Sequence, residues 1–281
     1  MRTKEFQYII WEHHKNNKRK NNFPWRKTRN PYHILISEIM LQQTQIPRVI
    51  PKYNEWLKAF PTLKALSRAP FSKVLSTWQG LGYNRRARFL KDTATIIHKK
   101  YNERVPRSPE ELETLPGIGH YTARAVACFS YGICEPFLDT NIRRVYIHFF
   151  GGKKRNIPDA WVMRYVQKTQ PSQHKREWYG ALMDYGRDVL GGTKNNPNTK
   201  SASYTKQSPF RGSTRYIRAK IIDHALLRKN GTTPASIRNA LLKDPYIKKG
   251  DVLTHASALI ASLKKERLLR EKNSRLYIYA R

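Results

Sequence analysis

The segment Leu-Pro-Gly-Ile-Gly-His-Tyr-Thr-Ala-Arg, at residues 115–124, constrains the fold of this chain more than any other. Gly117 and Gly119 permit a tight turn and the close approach of a second backbone. A helix is predicted to begin directly after them, and the unpaired N–H groups of its first turn are suited to a phosphate. The segment therefore favours two helices joined by a hairpin that holds a nucleic-acid backbone. Gly-x-Gly alone is also typical of an ordinary helix–helix turn.

A large positive charge extends over the whole chain. Lys and Arg number 54 and Asp and Glu 20 among 281 residues, which gives a net charge of +34. Residues 213–281 hold 16 of the basic and 5 of the acidic side chains, so the excess is not confined to one part. This charge indicates a polyanionic partner, nucleic acid ahead of a membrane surface, although a ribosome-associated or merely soluble basic protein is also compatible with it.

The cysteines and the apolar segments indicate the cellular compartment. Only Cys128 and Cys134 occur, without a Cys-x-x-Cys pattern, so neither a disulfide framework nor a cysteine metal site is predicted. Cys128 lies in an apolar helical pattern, which favours a packed thiol. No apolar run approaches the length of a membrane span or of a signal-peptide core. We therefore expect an intracellular protein, in the cytoplasm or nucleoid of a prokaryote.

Apolar spacing and helix-start signals predict an all-α body. Prolines mark several helix starts or breaks, and long β-type alternation is absent. The predicted helices cover residues 4–14, 31–43, 47–59, 71–78, 84–100, 109–114, 121–131 and 140–150.

Residues 191–212 differ in character from the preceding 190 residues. They are rich in Gly, Asn, Thr, Ser, Lys and Pro and contain no acidic residue, which predicts a basic linker or a DNA-facing loop. Helical patterns at 215–229, 233–242 and 252–265 follow, and then a strand from Arg275. This order favours a small winged-helix-like domain at 213–281, with a plain helical packing domain as the alternative.

Glu38 and Asp139 are the two candidate catalytic carboxyl groups. Glu38 is the lone acid in the apolar segment Ile-Leu-Ile-Ser-Glu-Ile-Met-Leu, where desolvation would raise its pKa and allow it to donate a proton. A partly exposed or salt-bridged glutamate is the alternative. Asp139 precedes a predicted helix, so it is either an N-cap or a carboxylate that stabilises a developing sugar cation.

Several residues are candidates for contact with bases. Gln42 and Gln43 can bond base edges, and Tyr83 can insert between bases, although helix surface and core packing are equally compatible. Tyr83 belongs to Gly-Leu-Gly-Tyr-Asn at 80–84, which resembles the segment at 117–121. Two such hairpins on one face could hold a backbone at two points, unless the similarity is coincidental.

Together these residues resemble the helix–hairpin–helix DNA glycosylase superfamily, and within it the MutY-type adenine DNA glycosylases. The resemblance covers roughly residues 5–190. It rests on collinear motifs: Phe-Pro-Trp-Arg at 23–26, Ser-Glu-Ile-Met-Leu-Gln-Gln-Thr-Gln at 37–45, Gly-Leu-Gly-Tyr at 80–83, Leu-Pro-Gly-Ile-Gly-His-Tyr-Thr-Ala at 115–123, Leu-Asp-Thr-Asn-Ile-Arg-Arg-Val at 138–145 and Met-Asp-Tyr-Gly at 183–186.

The resemblance implies a fold of two helical lobes that holds DNA and extrudes one base. Glu38 matches the family's catalytic acid, and Asp139 matches the carboxylate that stabilises the sugar cation. Tyr121 stands where relatives that also cut the strand have a Schiff-base lysine, so base removal without strong strand cleavage is implied. The implied DNA-binding residues are Gln42, Gln43, Tyr83, Gly117, Ile118, Gly119, His120 and Thr122.

This chain differs from most family members in two respects, which limit what the resemblance implies. Most members continue after Met-Asp-x-Gly with four cysteines that bind an iron–sulfur cluster, but residues 190–207 contain none. The resemblance therefore implies no cluster and no other metal, apart from a possible monovalent cation at the hairpin carbonyls. Residues 213–281 are also too short for the Nudix-like domain with which full-length relatives recognise 8-oxoguanine.

The sequence thus predicts a monomeric, monofunctional glycosylase that removes adenine opposite guanine or 8-oxoguanine in double-stranded DNA. One alternative is a thymine or uracil glycosylase acting on G·T or G·U mismatches, because related enzymes share the Glu, the hairpin, the Tyr and the Asp. The other is a DNA-binding protein without catalysis.

Overall fold

The all-α fold class is confirmed by a computed structural model, which describes residues 1–17, 22–192 and 195–279. Within these residues the longest helix has 17 residues, and none combines the length and hydropathy needed to cross a membrane. The helices are α1 (Thr3–Asn16), α2 (Pro31–Leu41), α3 (Ile46–Ala59), α4 (Leu63–Arg68), α5 (Phe71–Trp78), α6 (Arg85–Lys100), α7 (Pro109–Glu113), α8 (His120–Tyr131), α9 (Thr140–Phe150), α10 (Asp159–Thr169), α11 (Lys175–Asp188), α12 (Thr214–Leu226), α13 (Pro234–Leu242) and α14 (Lys249–Lys265).

The first compact unit comprises Met1–Glu38, Pro106–Thr114 and Ile118–Lys206. Its core is aromatic: the ring of Phe6 lies 5.2 Å from that of Tyr146 and 5.8 Å from that of Trp178. All three side chains are fully buried, so they join α1, α9 and α11 into one packed body. Burial of such large rings is a major favourable term in the stability of a fold.

The second compact unit comprises Ile39–Val105, Leu115–Gly117 and Gln207–Arg281. Trp56 of α3 and Trp78 of α5 form an edge-to-face pair with centroids 5.5 Å apart, and both are fully buried. The C-terminal helices belong to this unit, where Gln79 Nε2 donates to Asp223 Oδ1 over 3.1 Å. The domain boundaries at residues 190 and 212 stay predictions, and residues 193–194 of the predicted linker lie outside the described residues.

The C-terminal segment has the three helices and the strand from Arg275 that its sequence predicts, and one further strand that its sequence does not predict. After α12, α13 and α14, strands β1 (Leu269–Lys272) and β2 (Arg275–Ile278) form an antiparallel hairpin in which Leu269 pairs with Ile278. Thr232, before α13, adds an isolated bridge to Leu276. The predicted strand continues to residue 280, which lies outside the described part of the chain.

Cys128 is packed, as its sequence context predicts, but the prediction that it is a thiol is wrong. Cys128 in the last turn of α8 is joined to Cys134 by a disulfide, with the Cα atoms 4.2 Å apart. Gly132 ends the helix with φ 74°, in the left-handed region that glycine adopts readily, and the chain turns back there. This reversal brings Cys134 against the end of α8, which a search for Cys-x-x-Cys spacing does not anticipate.

Candidate active site

Glu38 lies in the apolar helix α2, as the sequence predicts, and is only 6% exposed. Removal of water from its carboxyl group raises the pKa of Glu38 to about 7. The hydrogen bond from Tyr121 and the charge of Arg26 oppose this rise, while the negative charge of Asp139 adds to it. The side chain can therefore hold a proton near neutral pH.

Tyr121 places its hydroxyl directly on this acid. It lies in the first turn of α8, which begins after the N-cap Gly119, and its Oη donates to Glu38 Oε2 over 2.9 Å. Burial, and then the nearby negative charges of Glu38 and Asp139, hold the pKa of Tyr121 well above its usual value. Tyr121 is therefore a protonated donor to Glu38, and it fixes the orientation of that carboxyl group.

Asp139 is both an N-cap and a member of this cluster, so the two readings of its sequence position are compatible. Its carboxylate accepts from the backbone N–H of Ile142 over 2.6 Å and from Asn141 Nδ2 over 3.1 Å at the start of α9. Desolvation by surrounding protein raises the pKa of Asp139, and these hydrogen bonds oppose the rise. More hydrogen-bond donors face Asp139 than Glu38, and these donors favour the ionised form of Asp139.

Arg26 is the residue of this cluster to which sequence reasoning gave no role. Its guanidinium donates to Gly180 O and to Asp184 Oδ1, each over 3.4 Å, and lies over the ring of Phe129. Asp184 is fully buried, and both Arg26 and Arg187, whose Nη1 lies 3.0 Å from Asp184 Oδ1, balance its charge. The charge of Arg26 also favours ionisation of Glu38. Arg26 belongs to the Phe-Pro-Trp-Arg motif and Asp184 to the Met-Asp-Tyr-Gly motif. The sequence does not show that the two motifs are in contact.

The hairpin residues occupy distinct environments. Gly117 has φ 77°, and a Cβ there would lie 2.7 Å from atoms of Phe89, so both backbone and space require glycine. His120 is exposed, and its Nδ1 lies 3.0 Å from Glu113 Oε1. Ile118 and Thr122 are buried, at 4% and 3% exposure, so a phosphate could contact only their backbone groups.

The second unit brings Gln42, Gln43 and Tyr83 together. Gln42 Nε2 donates to Gly117 O over 3.4 Å. Gln207 Nε2 donates to Gln43 Oε1 over 2.9 Å, and Arg215 Nη1 donates to Tyr83 Oη over 2.8 Å. Sequence reasoning missed Gln207 and Arg215, because no motif marks them and their partners lie more than 120 residues earlier in the chain.

An all-α fold with a glycine hairpin and a buried Glu–Tyr–Asp cluster defines the class of helix–hairpin–helix proteins. The family described as HhH-GPD superfamily base excision DNA repair protein matches residues 36–171. The chain belongs to this superfamily.

Curated relatives include two kinds of glycosylase. An adenine DNA glycosylase of Buchnera aphidicola subsp. Baizongia pistaciae is 39% identical over 68% of this chain, which spans only 54% of that protein. An adenine DNA glycosylase of Mycolicibacterium smegmatis is 34% identical, with 80% of this chain and 83% of that protein covered. A thymine/uracil-DNA glycosylase of Methanothermobacter thermautotrophicus is 35% identical over 62% of this chain and 80% of its own length.

Solved structures share the fold. A thermostable thymine-DNA glycosylase matches with a TM-score of 0.61 and 27% identity, covering 70% of this chain and 91% of that one. A trapped endonuclease III–DNA covalent intermediate matches with a TM-score of 0.58 over 69% of this chain and 90% of that one. At 21% sequence identity, this match shows only that the two chains share a fold.

The residues of this chain do not fit the iron–sulfur cluster that most family members bind. Such a cluster needs four thiolates, and the only two cysteines of this chain are joined in a disulfide. The segment after α11 instead makes protein contacts. Asn198 Nδ2 donates to Thr140 O over 3.0 Å, and Ile157 forms a parallel bridge with Ser201.

Proposed function

We propose that this protein is a monofunctional DNA glycosylase of base excision repair, which removes adenine mispaired with guanine or 8-oxoguanine. The observation that carries the proposal is the Tyr121–Glu38 hydrogen bond, in a cluster whose two carboxyl groups influence each other. A buried acid with a raised pKa, beside a second carboxylate that accepts more hydrogen bonds, is the arrangement that separates a proton donor from an ion. The adenine glycosylases among its relatives support the choice of base.

In the proposed reaction Glu38 first donates a proton and later receives one, and Asp139 stays ionised. Glu38 donates its proton to a ring nitrogen of the extruded adenine while the C1′–N9 bond breaks, and the bonding electron pair leaves with the base. The sugar becomes an oxocarbenium-like cation, which the carboxylate of Asp139 stabilises. A water molecule then adds to C1′ and returns a proton to Glu38, so that free adenine and an abasic site are the products.

Tyr121 supports a monofunctional reaction. A lysine amine can attack C1′ and form the Schiff base from which strand cleavage proceeds, whereas a phenol hydroxyl cannot. Here the Tyr121 hydroxyl is engaged with Glu38, and its high pKa keeps it protonated.

The remaining parts of the proposal concern DNA and cofactors. We propose that a monomer binds mismatched double-stranded DNA at the hairpin, in the prokaryotic cytoplasm or nucleoid, without an iron–sulfur cluster. A monovalent cation at the hairpin is compatible with Pro116 O and Gly117 O, because each accepts one side-chain hydrogen bond and a carbonyl has two lone pairs. Replacement of potassium by lithium tests this cation through duplex affinity.

A second candidate is removal of thymine or uracil from G·T or G·U mismatches. The thymine/uracil glycosylase relative is covered over 80% of its length, and the Glu38–Tyr121 pair does not distinguish the two reactions.

Single-turnover incubation with duplexes that contain 8-oxoguanine·A, G·A, G·T or G·U, followed by alkali, tests both candidates. Release of adenine supports the proposal, and release only from G·T or G·U replaces it with the second candidate. Tight binding without release from any duplex would indicate a non-catalytic DNA-binding protein.

A further inference from the structure

The C-terminal β-hairpin has two chemically different faces. Successive side chains of a strand point to opposite faces, and Leu269 and Leu276 lie on the face that is buried, where β2 packs against α12. The opposite face, here called the outer face, consists of Arg270, Lys272, Arg275 and Tyr277. Its three cationic side chains are exposed. The outer face therefore presents positive charge to its surroundings.

Two of these cations stand directly opposite each other. Lys272 pairs with Arg275 across the hairpin, and the turn between them is formed by Asn273 and Ser274, with φ 49° and 57°. Opposite side chains in antiparallel strands have Cβ atoms about 4.5–5.5 Å apart, and like charges in these positions are destabilising. Arg270 lies diagonally from Arg275 on the same face, about 7–8 Å away. A polyanion that neutralises these three charges would relieve their repulsion.

The turn at residues 228–230, between α12 and α13, extends the outer face. Arg275 Nη1 donates to Asn230 O over 3.0 Å, and this hydrogen bond ties the turn to the hairpin. Arg228 and Lys229 are exposed in the same turn. The outer face and the turn thus form one surface with five cationic side chains.

The ring of Tyr277 has a fixed position within this surface. The guanidinium of Arg270 lies 5.5 Å from the centre of the ring. On the side of the turn, a Cβ at Gly231 would lie 2.6 Å from the ring, and Gly231 has φ 77°, so both space and backbone require glycine there. Tyrosine hydroxyls, like Arg and Lys side chains, are donors that contact phosphate oxygens in protein–DNA complexes.

The acidic side chains of this part of the chain have partners elsewhere. Glu271 points to the other face of β1 and pairs with Lys264, and Glu266 pairs with Arg218. Within the residues that the structure describes, no ion pair joins an acidic group to a cation of the outer face or of the turn at 228–230. A basic surface without counter-charges of its own is suited to a polyanion.

Helix α12 sets the distance from this surface to a candidate DNA contact of the same unit. Arg215, in the first turn of α12, donates to Tyr83 Oη, and Arg228 follows the last turn. The 13 residues of α12 span about 20 Å at 1.5 Å per residue. Each base pair of a duplex advances about 3.4 Å, so this distance corresponds to about six base pairs.

We propose that the outer face of the β-hairpin, with the turn at 228–230, binds phosphates of duplex DNA about six base pairs from the position of Tyr83. This inference rests on the proposed function, which brings a duplex to the second unit. Three cations within about 8 Å match two or three successive phosphates of one strand, since these advance about 3.4 Å each along the duplex. Contacts to phosphate do not depend on base sequence, so this surface adds affinity for the DNA beside the mismatch.

The test compares duplexes that differ only in the length of one arm. Each carries a tetrahydrofuran abasic analogue opposite guanine, at the centre of about 30 base pairs or with one arm cut to about five base pairs and closed by an uncharged linker. Dissociation constants are measured over a series of salt concentrations. The wild-type protein should bind one of the two short-arm duplexes as tightly as the central one. It should bind the other at least about tenfold more weakly, because that arm no longer reaches the β-hairpin.

The triple variant Arg270→Gln, Lys272→Gln, Arg275→Gln removes the charge of the outer face. It should bind the central duplex at least about tenfold more weakly than the wild type. The slope of log affinity against log salt concentration should become less steep by about two to three, because each phosphate contact contributes about 0.9. On the duplex whose arm is too short for the β-hairpin, the variant and the wild type should agree within about twofold. The Tm of the variant should be equal or higher, because like charges no longer face each other.

A matched control removes the same charge from another part of the second unit. Lys58, Lys99 and Lys100 are exposed near the ends of α3 and α6. The triple variant Lys58→Gln, Lys99→Gln, Lys100→Gln should keep the wild-type affinity and salt dependence on all three duplexes.

An outer-face variant with wild-type affinity and salt dependence on every duplex would overturn the inference. So would a control variant that loses as much affinity as the outer-face variant, because net charge would then explain both. Loss of binding to phosphatidylserine vesicles, with DNA affinity unchanged, would assign the surface to a membrane instead. Base release from the A·G duplex at saturating protein, measured in parallel, distinguishes these results from failure of the proposed function: release without any effect of the outer face on affinity leaves the glycosylase intact and removes only the β-hairpin contact.

Discussion

The substitution Glu38→Gln tests the chemistry and the electrostatics of the site at once. Glutamine keeps the shape of the side chain and can accept the Tyr121 hydrogen bond, but it can neither donate an acidic proton nor ionise. We expect the variant to release no base while its duplex affinity stays within about twofold of wild type, since acid catalysis and phosphate contacts are separate contributions.

The same variant should be more stable than the wild type, and increasingly so at higher pH. The pKa of Glu38 is about 7 in the folded protein and 4.5 as its ordinary value. A raised folded-state pKa means that the folded protein binds the proton more tightly, so the stabilisation from this group is complete below about pH 4.5 and is lost as the pH rises through 7. At about 1.36 kcal/mol per pKa unit, Glu38→Gln should raise the free energy of unfolding by about 1 kcal/mol at pH 5 and about 3 kcal/mol at pH 8.

Urea unfolding of both proteins at pH 5 and pH 8 measures this difference. Glu55→Gln provides the matched control, because that side chain is 51% exposed and its substitution should change stability by less than about 0.5 kcal/mol at either pH. A stability difference for Glu38→Gln that is the same at both pH values would refute the desolvation argument. Retained base release in this variant would remove Glu38 from the role of acid.

Three further predictions follow from the same cluster and from α8. The single-turnover rate of base release should be constant below about pH 7 and fall about tenfold per pH unit above it, as Glu38 loses its proton; a rate that rises with pH would contradict an acid role. The double substitution Arg26→Met, Arg187→Met should lower the free energy of unfolding by about 3 kcal/mol, measured in urea, because the buried carboxylate of Asp184 loses both ion-pair partners; an effect below about 1 kcal/mol would show that these pairs are not needed. Reduction of the Cys128–Cys134 disulfide should cost about 2 kcal/mol from loop-closure entropy, with a Cys128→Ser, Cys134→Ser double variant as the control that reductant leaves unchanged.

Much of the fold was predictable from local sequence. Proline and capping residues place the ends of α5 and α9 where the sequence predicts them, because these signals act within one turn. Helix α11 was not predicted, since Gly180 and Gly186 interrupt it and glycine disfavours helix interiors. A Cβ at Gly186 would clash with the backbone of Asn141, so tertiary packing fixes this glycine.

The candidate site was predictable to a lesser extent. An acid alone in an apolar helix implies desolvation, so the burial of Glu38 follows from its neighbours in sequence. The ion pair of Arg26 with Asp184 depends on packing between elements 158 residues apart, and local patterns carry no information about it. The same holds for Gln207 and Arg215, whose partners at Gln43 and Tyr83 are set by how the C-terminal helices dock within their unit.

The double duty of Asp139 has a consequence for how such an enzyme can lose its activity. Because one carboxylate starts α9 and, in the proposed reaction, also stabilises the sugar cation, we expect most replacements to abolish base release and to weaken folding together, by about 1 kcal/mol for an alanine. Asparagine, serine and threonine would keep a helix-starting oxygen and abolish the charge. A homologue of this chain with one of these three residues here would therefore fold well without the charge, and we expect it to bind DNA without removing a base.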